Sequence, residues 1–415
     1  MTGVGNGGPA RARRDGEGRG RPAHPLARLS AEFDGVHDVW RSASGLLCVA
    51  GPEAARAVLG NRHALVAETA DFYRTRHGVF GPRAAQIEIG RASRALMNRH
   101  LDARQPRLPG LLAAHLTPES VWPDAGNLLV LAHLRDVLLH RDAPPALHAV
   151  LEEIVTRAVL AGARQCHSAV SRLLFRRRAH GALHTEIAAR RRAGERSGRG
   201  GGPSAGRGDG QCSDADTLPR DLLDVVLDGS DPTADPAELA EVYLSFLFAT
   251  VGAIGFALGW AVLLLGTHPD CRTTQANWVV REALRLWPVA WLFARSPSRT
   301  QDLGGMRVTP DDRLAVCTYL VHRHPGHWPR PDEFVPQRWA DAVPDGAYLP
   351  FGHGPHTCAG ATVTMRLLED LVGLITRDWH LSVTPDGGGP QVGPALAPPR
   401  FTAALSRRAN GPGGR

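Results

Sequence analysis

The feature that most constrains this fold is an apolar run from Leu244 to Leu265, LSFLFATVGAIGFALGWAVLLL. A helix of that length can cross a lipid bilayer. The run is rich in small residues, however, and it stands alone in mid-chain. The central helix of a large soluble protein, buried on all sides, has the same composition. We therefore predict one long buried helix from Asp235 to Gly266, started by an Asp-Pro pair, and no membrane span.

Composition limits the class of protein further. The chain has 415 residues, of which 43% are hydrophobic, so it can bury a sizeable core. The net charge is +7, but every basic residue is Arg, and Gly and Pro are abundant. This pattern is typical of a GC-rich genome, which suggests an actinobacterium and weakens any argument for nucleic-acid binding. No basic stripe is interleaved with aromatic residues. Six Cys without CxxC spacing argue against a disulfide framework and a structural zinc site.

The two ends and one internal segment differ from the rest of the chain. Residues 1–24 are polar and rich in Gly and Arg, and without an apolar segment they do not form a secretory signal. We expect a disordered tail there and a frayed end over 409–415. Residues 194–216 contain many Gly and Ser without apolar periodicity, which predicts a flexible loop inside one domain spanning 25–408.

The remaining patterns predict a mainly α protein with small β-sheets. Helical patterns cover 51–59, 86–101, 146–159, 170–192, 274–286 and 359–378. Short β-like segments cover 291–295, 306–308 and 313–319.

A cysteine with unusual neighbours lies in the segment FGHGPHTCAG, from Phe351 to Gly360. Cys358 follows a loop of Gly and Pro and precedes a helix, whose N-terminal N–H groups and partial positive charge favour a thiolate. The glycines, including Gly352 and Gly360, leave room for a flat bulky group. A thiolate there suits the axial position of haem iron. A small buried cysteine in a glycine turn is an equally good interpretation of this segment alone.

Glu282 and Arg285 are three residues apart and share one face of a predicted helix. On a surface, such an ion pair contributes little stability. The apolar residues around it instead indicate partial burial, which requires a further hydrogen-bonding partner. Arg338 is the candidate for that partner.

With these three segments in this order, the chain resembles the cytochrome P450 family of haem-thiolate monooxygenases. The family's FGxGxHxCxG loop is matched at every fixed position from Phe351 to Gly360, its ExxR helix by Glu282 and Arg285, and its FxPxRW segment from Phe334 to Trp339. The resemblance covers roughly residues 25 to 408. It implies the family's triangular prism, with haem buried between the long helix and the cysteine loop.

The resemblance implies the following roles. The cofactor is haem b, and Cys358 is its iron ligand, in a loop to which Phe351, Gly352 and Gly360 also belong. Arg338 completes a structural triad with Glu282 and Arg285. Basic side chains hold the haem propionates, and the positions that match are His356, Arg295 and Arg94. On the early helix, Gly90 stands where the family usually has His or Trp.

The long helix departs from the family's pattern. The positions that usually hold an acid and then Thr are Gly252 and Ala253, neither of which can relay a proton to bound oxygen. Thr250 lies on nearly the same helical face and is a candidate substitute. A hydroxyl that bonds a carbonyl one turn earlier in its own helix is the interpretation we favour for Thr250. The small residues also permit a local bulge.

Three functional alternatives follow. In the first, a substrate hydroxyl or bound water completes the relay, and the enzyme hydroxylates a hydrophobic secondary metabolite. In the second, the enzyme performs oxidative coupling, cyclisation or nitration. In the third, it is weakly coupled and consumes reductant without forming product. A non-catalytic haem sensor and a single-span membrane protein are rival interpretations from other classes.

The family resemblance also implies partners and a location. Electrons come from a separate ferredoxin and its reductase, steered by opposite charge to an Arg-rich face, in the cytoplasm. The substrate pocket is expected from residues 68–79, the region near Leu173, Phe246 to Gly252 and Val289 to Phe293.

Overall fold

The computed structural model describes residues 24–67, 72–116, 119–160, 169–196, 218–341 and 346–408. Residues 1–23 of the predicted tail 1–24 lie outside the described residues, and so does the predicted frayed end 409–415. Most of the predicted loop 194–216 also lies outside the described residues. Its first residues belong to a helix that continues to Arg196, so the predicted start of the loop was three residues too early.

Helices dominate the fold, as predicted. In chain order they are α1 (Pro25–Glu32), α2 (Pro52–Gly60), α3 (Arg83–Arg104), α4 (Leu108–His115), α5 (Asp124–Leu138), α6 (Pro145–Ile154), α7 (Ala169–Arg196), α8 (Leu222–Asp228), α9 (Pro236–Leu247), α10 (Ala253–Thr267), α11 (Ala276–Leu286), α12 (Thr318–Val321) and α13 (Ala361–Asp378). Two π-helical segments, Val155–Val159 and Phe248–Gly252, continue α6 and join α9 to α10.

The strands are short. They are β1 (Val39–Arg41), β2 (Leu47–Val49), β3 (Arg74–Thr75), β4 (Gly78–Val79), β5 (Glu119–Trp122), β6 (Phe293–Arg295), β7 (Gln301–Leu303), β8 (Met306–Val308), β9 (Leu314–Val316), β10 (Trp379–Pro385), β11 (Gln391–Val392), β12 (Leu396–Ala397) and β13 (Phe401–Arg407). The predicted strand 313–319 was too long, because the chain turns into α12 after Cys317.

The largest sheet has the order β1-β2-β9-β6. Its β2–β9 pair is parallel, with Cys48 opposite Ala315, and the other pairs are antiparallel. A second sheet has the order β10-β13-β5. The first sheet carries Arg295 at the end of β6, so strand pairing fixes the position of one predicted site residue.

The long central helix runs from Pro236 to Thr267 through the π-helical segment. It is long and apolar enough to cross a membrane, yet 83% of its most apolar window is buried inside the fold. α10 packs against α5, α11 and α13, and every residue from Ile254 to Leu265 is buried. A helix that is apolar on all sides needs such enclosure, so the central helix is part of the protein core.

Candidate active site

The cysteine loop is shaped by glycines in the left-handed region. Gly352 and Gly354 have φ values of +73° and +74°, which side chains with a Cβ rarely adopt. A Cβ on Gly354 would also lie 2.6 Å from the Cα of Gly60, at the end of α2. The Cys358 N–H donates to the Phe351 carbonyl at 2.9 Å and closes the loop. The loop therefore holds Cys358 in a fixed place.

The Cys358 side chain is accessible to solvent although protein surrounds it. The surrounding protein desolvates it enough to raise the pKa of its thiol. The Gly360 N–H lowers that pKa by hydrogen bonding, but burial outweighs it. The prediction that the helix N-terminus leaves this thiol with a lowered pKa was wrong for the protein without a bound cofactor.

Helix α3 passes directly against the cysteine loop. A Cβ on Gly90 would lie 3.2 Å from the Cβ of Ala359, so the two backbones are in close contact. Arg83 donates to the Pro355 carbonyl and lies 3.5 Å from Nδ1 of His356. Arg94 follows Gly90 by one turn and is exposed. Arg83 was not among the predicted site residues, because a basic residue at the start of a helix carries no distinguishing signal.

Arg295 is a basic residue that lies in the interior of the protein. The residue is only 6% exposed, and its guanidinium donates to the Ala294 carbonyl at 2.8 Å. It also lies over the Phe293 ring, 5.9 Å from its centroid. Hydrogen-bonding and anionic partners stabilise a buried guanidinium, and Arg295 is such a buried basic group at the end of β6.

Glu282 is fully buried and completely hydrogen bonded. Arg285 donates to its two carboxylate oxygens at 2.8 and 3.0 Å. Arg338 donates at 3.0 Å, as predicted for the third member of the triad. The Val335 N–H and the Trp339 indole donate at the same distance. Trp339 was quoted only as part of a motif, and its indole completes the carboxylate's set of partners.

Arg285 is also fully buried, and it uses its remaining donors on backbone carbonyls. They belong to His322, Pro331 and Glu333, at 2.7 to 3.0 Å. A buried ion pair stabilises a fold only when its remaining donors and acceptors are satisfied. This pair meets that condition, and it ties α11 to the segment that precedes the cysteine loop.

His322 links the triad to the cysteine loop, and its role was not predicted. Its Nδ1 lies 3.0 Å from the Arg285 carbonyl, and its Nε2 accepts from the Leu349 N–H at 2.7 Å. Accepting at Nε2 places the ring proton on Nδ1. Complete burial and the Arg285 charge lower the pKa of His322 to about 3. The segment HRHP contains two histidines, and nothing in the sequence marks His322 as the one that forms this bridge.

The central helix has the predicted local bulge. Phe248–Gly252 is π-helical, and the Thr250 hydroxyl donates to the Phe246 carbonyl at 2.7 Å. The interpretation that Thr250 bonds within its own helix is confirmed. Gly252 is buried and Ala253 half-buried, whereas Phe248 is 37% exposed. An exposed apolar stripe thus interrupts an otherwise buried helix.

The predicted pocket segments contain aromatic side chains, and segment 72–79 also contains the exposed Arg74 and Arg76. The Trp291 indole donates to the Gly393 carbonyl at 2.8 Å, so its polar end is already satisfied. The rings of Phe72 and Phe246 meet edge to face at 4.7 Å. Leu173 on α7 is 52% exposed. Residues 68–71 lie outside the described range.

These features fit a flat, anionic prosthetic group that carries its own metal. The accessible thiol of Cys358 follows a loop of glycines, and basic side chains stand at Arg94, Arg295 and His356. Within the described ranges, no group of three His, Cys, Asp or Glu side chains can hold a free metal ion. One thiol ligand with basic side chains nearby is the donor set that suits an iron porphyrin with carboxylate substituents.

Comparisons with known proteins agree with this geometry. A family model described as Cytochrome P450 matches residues 274–396. Cyclooctatin synthase of Streptomyces melanosporofaciens is 32% identical over 180 residues, covering 37% of this chain and 39% of that protein. Cyclooctat-9-en-7-ol 5-monooxygenase of the same organism is 27% identical over 196 residues, covering 40% and 43%. The chain thus matches about two fifths of the length of these relatives.

Solved structures share the whole fold. The hydroxylase HmtN, involved in himastatin biosynthesis, superposes with a TM-score of 0.65 at 18% identity, covering 92% of this chain and 97% of HmtN. The cytochrome P450 EryK from S. erythraea gives 0.65 at 18% identity, covering 94% and 96%. The part of the chain that carries the cysteine loop and the buried triad, residues 274–396, thus matches the cytochrome P450 family, whose cofactor is haem, and the fold of the chain is the one that solved cytochromes P450 have.

Proposed function

We propose that this chain is a haem-thiolate monooxygenase that oxidises a neutral, hydrophobic secondary metabolite. The observation that carries the proposal is the accessible Cys358 thiol in a glycine loop anchored through His322 to a fully satisfied Glu282–Arg285 pair. The group bound there is haem b. When bound, it supplies the activation of dioxygen, which thiolate donation favours.

The chain's own residues hold the cofactor. Cys358 loses its proton on coordination, because a bound metal deprotonates a thiol outright. This overcomes the raised pKa that burial gives the free thiol. Arg94, Arg295 and His356 pair with the propionates, and Phe351, Gly352 and Gly360 form the loop against the ring.

Between Phe248 and Ala253, which the structure describes throughout, no side chain is free to relay a proton. Gly252 and Ala253 carry no ionisable group, and the Thr250 hydroxyl already donates to a carbonyl of its own helix. A hydroxyl on the substrate, or water that it orders, therefore completes the proton path. The same observation favours a second candidate function, oxidative coupling, ring closure or nitration, in which protons are delivered differently.

The substrate class follows from the lining and the relatives. The described pocket segments present the aromatic rings of Phe72, Phe246, Phe248 and Trp291, which suit a hydrophobic skeleton. The charged Arg74 and Arg76 of the same segments are exposed to solvent. One relative is named for oxidising cyclooctat-9-en-7-ol, a cyclic alkenol. We infer that this chain takes a cyclic terpenoid alcohol, whose hydroxyl replaces the missing alcohol of the helix.

Electrons come from a ferredoxin and its reductase in the cytoplasm. The face of α3 next to the cysteine loop exposes Arg83, Arg91 and Arg94. An acidic electron carrier is steered to such a basic surface by long-range attraction. That attraction weakens as salt increases.

The test is a titration of the purified, haem-loaded protein, followed by the shift of its Soret band. The panel contains cyclic terpenoid alcohols, the matching hydrocarbons without the hydroxyl, aromatic compounds and cyclic peptides. We expect the terpenoid alcohols to bind and to be converted when surrogate redox partners are added. Binding without any product would support the sensor interpretation instead. A preference for the hydrocarbons would contradict the proposed role of the substrate hydroxyl.

A further inference from the structure

The bulge in the central helix is held by a side chain from another helix. At Ala253 the backbone N–H reaches the Phe248 carbonyl, five residues earlier instead of four. A π-bulge of this kind disturbs the regular ladder of helix hydrogen bonds. Nδ2 of Asn127, on α5, donates to the Val251 carbonyl at 2.8 Å and to the Gly252 carbonyl at 3.2 Å.

The two helices approach closely enough for this contact because residue 255, like residue 126 on α5, is glycine. A Cβ on Gly255 would lie 2.3 Å from Nδ2 of Asn127 and 2.7 Å from its Cα. No rotation of a flexible side chain would relieve a clash with backbone. Asn127 is therefore wedged against the helix, and it is fully buried.

An asparagine is an unusual choice for this position if only core stability is required. Its Oδ1 is buried and has no hydrogen-bond partner among the described residues, which is unfavourable. Rotating the amide would not help, because Oδ1 would then face two carbonyl oxygens. The hydrogen bonds thus fix which way the amide points, and an apolar residue would avoid the unpaired oxygen.

We propose that Asn127 is a positioning residue that keeps Phe248–Gly252 in its bulged form. A bulge adds one residue to a turn, so its loss would rotate the flanking part of the helix by about 100° and shift it by about 1.5 Å. Phe248 and Ala249, the exposed members of the stripe, would then turn toward the core. The residue on α5 thereby sets which side chains of the central helix face the site. The catalytic consequence rests on the proposed function, whereas the structural claim does not.

The test compares amide hydrogen exchange in the wild type and in Asn127→Asp and Asn127→Leu. The first variant keeps the shape of the side chain but replaces the NH₂ group by an oxygen, and the second removes both donors. We expect peptides across residues 246–256 to exchange about tenfold faster or more, while peptides across α13 keep the wild-type rate. Asn98→Leu is the matched control, because Asn98 is partly buried on α3 and no hydrogen bond of its side chain is found in the described ranges. Unchanged exchange at 246–256, or equal acceleration along the whole chain, would overturn the proposal.

A second measurement decides the matter if the variants do not fold. The chain has six asparagines, so selective nitrogen-15 labelling of asparagine gives few side-chain NH₂ signals. In the wild type we expect one pair to resist exchange with solvent as strongly as the core amides. If every asparagine NH₂ exchanges rapidly, Asn127 does not clamp the bulge. Neither measurement requires substrate or turnover, so failure of this proposal is distinguishable from failure of the proposed function.

Discussion

The two walls of the site are built on different physical principles. The wall behind the cysteine loop is a polar network, in which Glu282, Arg285 and Arg338 are buried or nearly so and bonded to each other and to backbone. The wall opposite is the central helix, which is apolar and shaped by a bulge. The first wall depends on charged side chains that bond each other, and the second depends on a helix bulge whose carbonyls accept from one neutral side chain, Asn127.

This difference explains which part of the chain matches the family model. A buried ion pair tolerates few substitutions, because removing one partner leaves an uncompensated charge. Its residues therefore form a recognisable pattern, and the family model matches 274–396, which contains all three triad residues. A backbone bulge can be held by many sequences, so the helix is free to lose its acid and its alcohol without losing its shape.

The largest expected effect comes from breaking the polar wall. Arg285→Leu leaves Glu282 buried with only part of its hydrogen bonds, and we expect it to lower the free energy of unfolding by about 3–5 kcal/mol. Chemical denaturation of the haem-loaded protein measures this. Arg281→Leu is the control, because Arg281 lies on the same helix, is only half-buried, and contacts the Trp339 ring at 5.7 Å. If the two variants lose similar stability, the triad does not dominate this wall.

A smaller effect should appear in the pH dependence of stability. The pKa of His322 is about 3 in the folded protein and about 6.5 in an unfolded chain. Between these values the unfolded state binds a proton that the folded state does not, so stability falls as pH falls from about 6.5 toward 3. His322→Asn should make this slope shallower by up to about 1.4 kcal/mol per pH unit.

The control for that slope is His327→Asn, which changes an exposed histidine of the same segment. His133, whose pKa is lowered to about 4 by burial, contributes its own slope and remains in both variants. An identical slope in His322→Asn and the wild type would show that His322 is not held neutral.

The sequence was sufficient to predict the residues of the polar wall, but it was insufficient to predict the residues that support the two walls. Cys358, Glu282 and Arg338 could be placed because charge and thiol chemistry at fixed spacing leave few alternatives. His322 and Asn127 could not, because each acts through partners from distant parts of the chain. The helix start at Arg83 and the end of the strand at Val316 were also missed, since tertiary packing sets element ends more than local propensity does.

The smallest effects are expected on the apolar wall. Thr250→Val removes a hydroxyl that is bonded within its own helix, so it should cost about 0.5–1.5 kcal/mol of stability. The ratio of product to reductant consumed should stay close to that of the wild type. Ala253→Thr restores the family's alcohol and should keep or improve that ratio. A sharp fall of the ratio in Ala253→Thr, or a large one in Thr250→Val, would show that this helix already relays protons.

The central claim is that the Cys358 thiolate binds haem iron. The most direct measurement is the absorption spectrum of the reduced, haem-loaded protein under carbon monoxide, with Cys358→Ser measured beside it. We predict the long-wavelength Soret band that distinguishes thiolate-ligated haem in the wild type, and its loss in the variant. A folded, haem-loaded wild type that shows only the shorter-wavelength band of histidine-ligated haem would contradict the account.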